Sequence, residues 1–270
     1  MTAIGQLGAV EARRMLRHPA YFIGLLLPAS FAIAAIVNDE TGPPWNFAFV
    51  LLFLMVTLVY APVTVVAANR VAGATYRRRV RDPFDCTPLG DRQRTAAAVV
   101  GLLRGPVAVG LAGALALLAI GRFTAATNVR EGDGVYQRTV LEYLQLPALV
   151  LGAGLLGIAV ARWLLRPGAL PLVAAVLWAG TIGLYAYSES AVVPARTWFA
   201  PWPVWLAGEN GMLPRQPLGQ EMWHLAYLLG LGVLAGLAAL LRGAGPRRRL
   251  VLAAAIVAVA TGAAALLQLG

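Results

Sequence analysis

Side chains able to carry covalent or metal chemistry are few in this 270-residue chain, and they are scattered. His18, His224 and the single Cys86 do not make a zinc site of the usual kind, and one cysteine forms no internal disulfide. Serine occurs only at Ser30, Ser188 and Ser190, none of them inside G-x-S-x-G. All 22 basic residues are arginine. Without lysine there is no standard phosphate-binding loop, whose lysine must reach the β- and γ-phosphates, and no Schiff base. Asp82 and Asp85 are close together, but they lie in an arginine-rich segment, a thin basis for acid–base catalysis. The residues therefore argue against an enzyme, and against any resident cofactor or metal.

The elements that hold these residues must be membrane helices. Hydrophobic residues make up 59% of the chain and charged ones 13%, against roughly 25% charged in soluble domains. Mean hydropathy is +0.71. The expected fold class is all-α, a polytopic integral membrane protein of six to seven transmembrane helices in a single transmembrane domain, residues 1–270. Seven apolar runs mark the spans: Ala20–Val37, Phe47–Ala68, Ala96–Ile120, Tyr143–Ala161, Ala169–Tyr187, Met222–Leu241 and Leu250–Leu269. Each is near the roughly 20 residues a helix needs to cross, and each is a continuous run, unlike the alternation of a β-barrel strand. The last run is alanine-rich and either spans or lies partly in the interface. Ala32-Ile33-Ala34 resembles a signal cleavage site, but the further spans favour a retained anchor.

Arginine placement sets the orientation. With the N-terminus inside, sixteen arginines fall inside, five outside, and Arg104 within the third span. Eight acids fall outside and four inside. The positive-inside rule selects this arrangement, so the net charge of +10 is a topology signal and not a nucleic-acid footprint.

Four segments carry further information. Residues 1–19 place Leu7, Val10, Met15 and Leu16 among polar neighbours, either as an interfacial helix or as a basic flank that sets topology. The inside loop 69–95 places Arg77, Arg78, Arg79 and Arg81 before Asp82, with Pro83 and Pro88 bracketing Phe84, Asp85 and Cys86. It reads either as a short helix offering Phe84 to a partner's pocket or as a basic linker on anionic lipid. The outside loop 188–221 holds Trp198, Trp202 and Trp205 among prolines, an outer-leaflet interfacial element that either caps an exit route or anchors the bundle. Arg104 is an intramembrane charge, a functional marker by default, though the length of its span favours snorkelling to the surface. Pro106 beside it predicts a bend. Glycines cluster at Gly152, Gly154, Gly157 and at Gly230, Gly232, Gly236, where helices can pack closely. No internal repeat stands out.

The layout resembles the permease subunit of a type-2 ATP-binding-cassette exporter. The opening AVEARRMLRHPAYFIGLLLP is similar to that family's E-x-R-R-x-x-R-x-P approach to its first span. GATYRRRVRDPFDCTPLGDRQRTAAAVVG is similar to its Gly-Thr, short helix, T-P-small and basic residue before span three, although Ala74 separates Gly73 from Thr75. The long interfacial loop between spans five and six is a third likeness. The resemblance implies a cytoplasmic coupling helix at Tyr76–Cys86, with Tyr76, Arg78, Arg81, Asp82, Phe84 and Asp85 contacting the ATPase and Phe84 as the anchor. It implies ABC-type ATPase subunits that hold ATP and Mg, a second permease copy or paralogue, and contact with membrane lipid. The expected place is the plasma (inner) membrane of a bacterium and the expected activity is efflux of an amphipathic or hydrophobic substrate. Two alternatives are an accessory or assembly membrane protein and a lipid-modifying membrane enzyme.

Overall fold

The computed structural model describes residues 3–22, 24, 26, 55–74, 90–124, 139–164, 166, 168–188, 219–243 and 245–267. Among these the secondary structure is helical throughout: α1 (Ala3–Leu16), α2 (Ala61–Gly73), α3 (Asp91–Leu102), α4 (Ala108–Thr124), α5 (Val140–Trp163), α6 (Ala169–Ser188), α7 (Gln220–Leu241) and α8 (Arg248–Leu267). A π-helical turn, Val56–Tyr60, leads into α2, and another, Leu103–Val107, joins α3 to α4. Among the described residues five helical stretches are long and apolar enough to cross a bilayer: Val56–Gly73, Asp91–Ala116, Val140–Trp163, Glu221–Leu241 and Arg248–Leu267. The chain is a membrane protein. Most of the first apolar run lies outside the described residues, and α6 adds a 20-residue helix packed on α2.

The helices outrun the apolar stretches because their polar ends still satisfy backbone groups. α3 begins five residues before its run, at Asp91. There the Gly90 N–H donates to Gln93 Oε1 at 3.0 Å, taking up one of the donors left over at a helix start. Glu142 and Glu221 occupy the first turns of α5 and α7, where the helix dipole favours a carboxylate.

α5 is the central helix. Of its most apolar stretch 72% is buried, against 17% for the peripheral α8. Small residues set its neighbours' distances. Gly157 lies against the Val65 backbone of α2, and its carbonyl accepts from Asn69 Nδ2 at 3.1 Å. Gly154 receives Leu102 of α3, and Gly110 of α4 faces Val150. Gly152 faces Gly232 of α7. These pairings make α2 and α7 parallel to α5 and the α3–α4 rod antiparallel to it. In consequence Arg70, Arg92, Arg94, Arg162, Arg242 and Arg247–Arg249 gather at one end of the bundle, and Glu142, Glu221 and, on the last turn of α4, Arg122 lie at the other. α8 packs on α7 through Thr261 against Gly230, and turns Val251, Leu252, Ile256 and Val259 outward.

The bend expected at Pro106 is taken up by the wide turn Leu103–Val107, which accommodates a residue with no N–H to donate. Tyr60, closing the other π turn, donates its hydroxyl to the Pro106 carbonyl at 3.1 Å. The two irregular turns therefore face each other across α2 and α3.

α1 docks on α3 by a small-residue face that apolar counting does not select. Gly8 meets Val100, and Ala12 meets Gly101 and Gly105. Gly8, Glu11, Ala12 and Met15 are buried, while Val10 and Leu16 are exposed. Burial pushes the Glu11 carboxyl above the usual carboxylate range, against the pull of Arg14, whose Nη1 lies 3.4 Å from Oε1. Glu11 Oε2 is buried without a hydrogen bond. A raised folded-state value means stability is full below the ordinary carboxylate range and is lost as pH rises through the raised value. Thermal midpoints from pH 4 to 8 should therefore fall as pH rises, and Glu11→Gln should flatten that slope and raise the midpoint at neutral pH. An unchanged slope in the variant would remove Glu11 as its source.

Candidate functional site

Tyr76, Arg78, Arg81, Asp82, Phe84 and Asp85 lie outside the described residues, as do Trp198, Trp202 and Trp205. What is described is the frame to which the loop 75–89 is attached. On one side α2 is held to α5 by the Gly157 contact. On the other, α3 opens with Asp91, whose Oδ1 is 3.6 Å from Arg162 Nη1 at the end of α5. The Arg162 side chain is 2% exposed and that of Asp91 37%. At 3.6 Å this is an ion pair rather than a hydrogen bond.

The next residue extends the frame. Arg92 donates from Nη2 to the Pro246 carbonyl at 3.2 Å, in the hairpin between α7 and α8. Gly245 in that hairpin has φ of 121°, a backbone region that side chains disfavour. A Cβ there would stand 2.7 Å from Arg92 Nη1, the far end of a flexible side chain that can swing aside, so it is the backbone conformation that selects glycine. Trp163 closes the same end of α5, donating from Nε1 to the Ala238 carbonyl at 2.8 Å, with the Arg242 guanidinium 5.8 Å from its ring centre. Gly245→Ala is expected to lower the thermal midpoint by several degrees, about 1–2 kcal/mol of backbone strain; an unchanged midpoint would show that the hairpin relaxes.

Arg104 is exposed and does not point into the bundle. Its Nη1 donates to the Gly5 carbonyl at 2.8 Å, tying the Leu103–Val107 turn to α1.

A second constellation lies at the opposite end. Glu142, Gln145, Glu221 and His224 are all buried, at 3%, 1%, 5% and 1% exposure. Gln145 Nε2 donates to the Glu221 carbonyl at 3.4 Å, and Glu221 Oε2 accepts from the Gly219 N–H at 2.9 Å. The His224 ring centre is 6.2 Å from that of Tyr227. Among the described residues no group of three or more His, Cys, Asp or Glu is placed to hold a metal.

Below these polar residues lies a cleft of about 360 Å³ between α2, α5, α6 and α7. Among the described residues that line it, Thr57 is the one polar side chain; Ala61, Val65, Ala153 and Leu177 are typical of the rest. The two features share their helix faces. On α5 the 3,4-spaced stripe Glu142, Gln145, Leu149, Gly152, Leu156 passes from buried polar groups into the cleft wall. On α7 the stripe Glu221, His224, Leu228, Leu231, Ala235 does the same. Residues three and four apart share a helix face, so each stripe is one continuous seam. Both seams are written in the sequence as E-x-x-Q and E-x-x-H, one turn into parallel helices; apolar run-counting passes over them.

No protein-family model, curated protein or solved structure matches this chain.

Proposed function

We propose that the chain is the membrane permease subunit of an ABC-type exporter, moving an amphipathic or hydrophobic substrate with ATP hydrolysed on a separate subunit. In this reading the arginine-rich end faces the cytoplasm of a bacterium, with the N-terminus inside and α1 at the inner interface. The second half of the pathway is another copy or a paralogue. The observation that carries the proposal is the attachment of the loop 75–89 at both of its ends to α5. α2 is keyed to α5 by Gly157 and Asn69, and α3 by Asp91 and Arg162. A push on the loop moves the central helix, because both flanks are packed or ion-paired to it. Arg92 passes the same displacement to the α7–α8 hairpin. A partner that changes shape on hydrolysing ATP is the kind of machine such a lever serves.

The test is purification of the full chain from its native membrane in mild detergent, with ATPase activity assayed on whatever co-elutes. An ATP-binding partner is expected in stoichiometric amount. Phe84→Ala is expected to weaken that partner by about thirty-fold, the roughly 2 kcal/mol of an aromatic anchor. Asp85→Ala is expected to weaken it less. A chain that elutes alone, with unchanged properties in both variants, would support the accessory-protein reading instead.

A further inference from the structure

We propose that the hairpin between α7 and α8 binds the head group of an anionic phospholipid, whose acyl chains lie along the outward face of α8. The site is independent of the transport reading, because binding needs no ATPase.

Charge balance calls for an anion. Arg247, Arg248 and Arg249 are consecutive and exposed, and Arg242 stands exposed on the other side of the hairpin. Arg92 reaches the hairpin from α3, at the Pro246 carbonyl. Two described acids lie in this half of the bundle, and both face other cations: Asp91 faces Arg162, and Glu11 pairs with Arg14. Among the described residues no carboxylate pairs with Arg247, Arg248 or Arg249. The loop 75–89 holds four arginines and two aspartates, so its own charge adds to the excess. Arg248 and Arg249 also open the first turn of α8, which contains no acid. Cations there oppose the helix dipole, and a neighbouring anion relieves both repulsions.

Depth and surface say which anion. α8 runs 20 residues, Arg248–Leu267, or about 30 Å at roughly 1.5 Å per residue, the thickness of the hydrocarbon core. Arg247–Arg249 therefore stand at the level of the lipid phosphates. Val251, Leu252, Ile256 and Val259 follow them, between 54% and 74% exposed. Leu252 is one turn on from Arg248 and Ile256 one turn further, so the charge and the apolar surface share a side of the helix. A free phosphate meets the arginines alone. A phospholipid meets the arginines with its phosphate and the side of α8 with its chains. A zwitterionic head group brings its own cation into the patch and is the poorer match.

The test uses the full chain in phosphatidylcholine nanodiscs doped with a phosphatidylglycerol that carries a photoreactive diazirine in one acyl chain. Labelled peptides are mapped by mass spectrometry, and label is expected on 251–259. Unlabelled phosphatidylglycerol should compete about tenfold better than added phosphatidylcholine, and the advantage should shrink in high salt. Arg247→Gln, Arg248→Gln and Arg249→Gln together should reduce it to about twofold. Lysine at the same three positions keeps the charge and should keep most of the advantage. Arg13→Gln, Arg17→Gln and Arg166→Gln together remove equal charge from exposed arginines elsewhere and should leave the labelling of α8 unchanged. A loss of equal size in that control would make the preference an effect of net charge and overturn the site. Equal competition by phosphatidylcholine would overturn it as well. So would displacement of the label by glycerol phosphate as effective as by the lipid, which would mark a site for free anions.

Discussion

Gly157→Ala is expected to destabilise the bundle by about 2 kcal/mol, while Gly152→Ala, five residues away on the same helix, is expected to be neutral. A methyl at Gly157 would collide with the Val65 carbonyl oxygen and stand 3.0 Å from Val65 Cα and 3.1 Å from its carbonyl carbon. All three are backbone atoms of a helix and cannot rotate aside. α2 must back away from α5, and the Asn69–Gly157 hydrogen bond must stretch or break. Overpacking costs about 1–3 kcal/mol and a lost hydrogen bond about 1 kcal/mol, while the better helix propensity of alanine returns up to about 1 kcal/mol. At Gly152 the added atom meets nothing nearer than 3.8 Å, so only the propensity gain operates. Gly154→Ala belongs between them. Its methyl would press on Leu102, a side chain that can change rotamer at some cost in packing. Thermal unfolding in one detergent should rank the three as Gly157, Gly154, Gly152 from most to least damaged. If Gly157→Ala is as stable as Gly152→Ala, α2 and α5 are not held by that contact, and the lever proposed for the loop 75–89 loses one of its two anchors.

What the sequence made legible follows from which interactions dominate at each level. An all-helical membrane protein was readable because 59% hydrophobic content leaves no aqueous alternative, and because backbone groups in hydrocarbon must be satisfied within a helix. The placement of most described arginines at helix ends was readable for the same reason, since the charges cannot sit inside. The glycines of close contact were readable, at Gly152, Gly154, Gly157, Gly230 and Gly232, but their partners were not. Between membrane helices the premium is on small residues, and glycine carries no hydropathic signal that says which neighbour it admits. The face of α1 illustrates the failure. Counting apolar side chains selects Leu7, Val10, Met15 and Leu16, but Gly8, Ala12 and Met15 do the docking, and Val10 and Leu16 stay exposed. The same habit hid Gln145 and His224. Each is a single polar residue near the start of an apolar run, and only comparison of α5 with α7 shows that E-x-x-Q and E-x-x-H stand in register on parallel helices. Pro106 was readable as an irregularity. The form it took, a wide turn met by the Tyr60 hydroxyl, depended on a partner 46 residues away in sequence.

Asp91→Ala is expected to do more harm than Arg162→Met, although the arginine is the more deeply buried partner. Removing Asp91 takes the neighbouring carboxylate from a guanidinium that is 2% exposed, and a buried charge that loses its counter-ion costs on the order of 3–5 kcal/mol. Asp91 is 37% exposed, so water enters the vacated place, and a loss of about 2 kcal/mol is the reasonable expectation. Arg162→Met removes the charge together with its demand for a partner and keeps a flexible apolar stem beside Ala161 and Val160, both core residues. Its cost should be under about 1 kcal/mol. The two variants then separate stability from transmission. Both sever the α3–α5 ion pair, so on the proposed transport reading both should lower ATP-driven transport in the complex. Only Asp91→Ala should also lower the thermal midpoint, by several degrees. A transport loss that follows the midpoint across the two variants would assign the pair to stability alone. A loss of similar size in both, with Arg162→Met as stable as the parent chain, would identify the ion pair as a working joint between the loop 75–89 and the central helix.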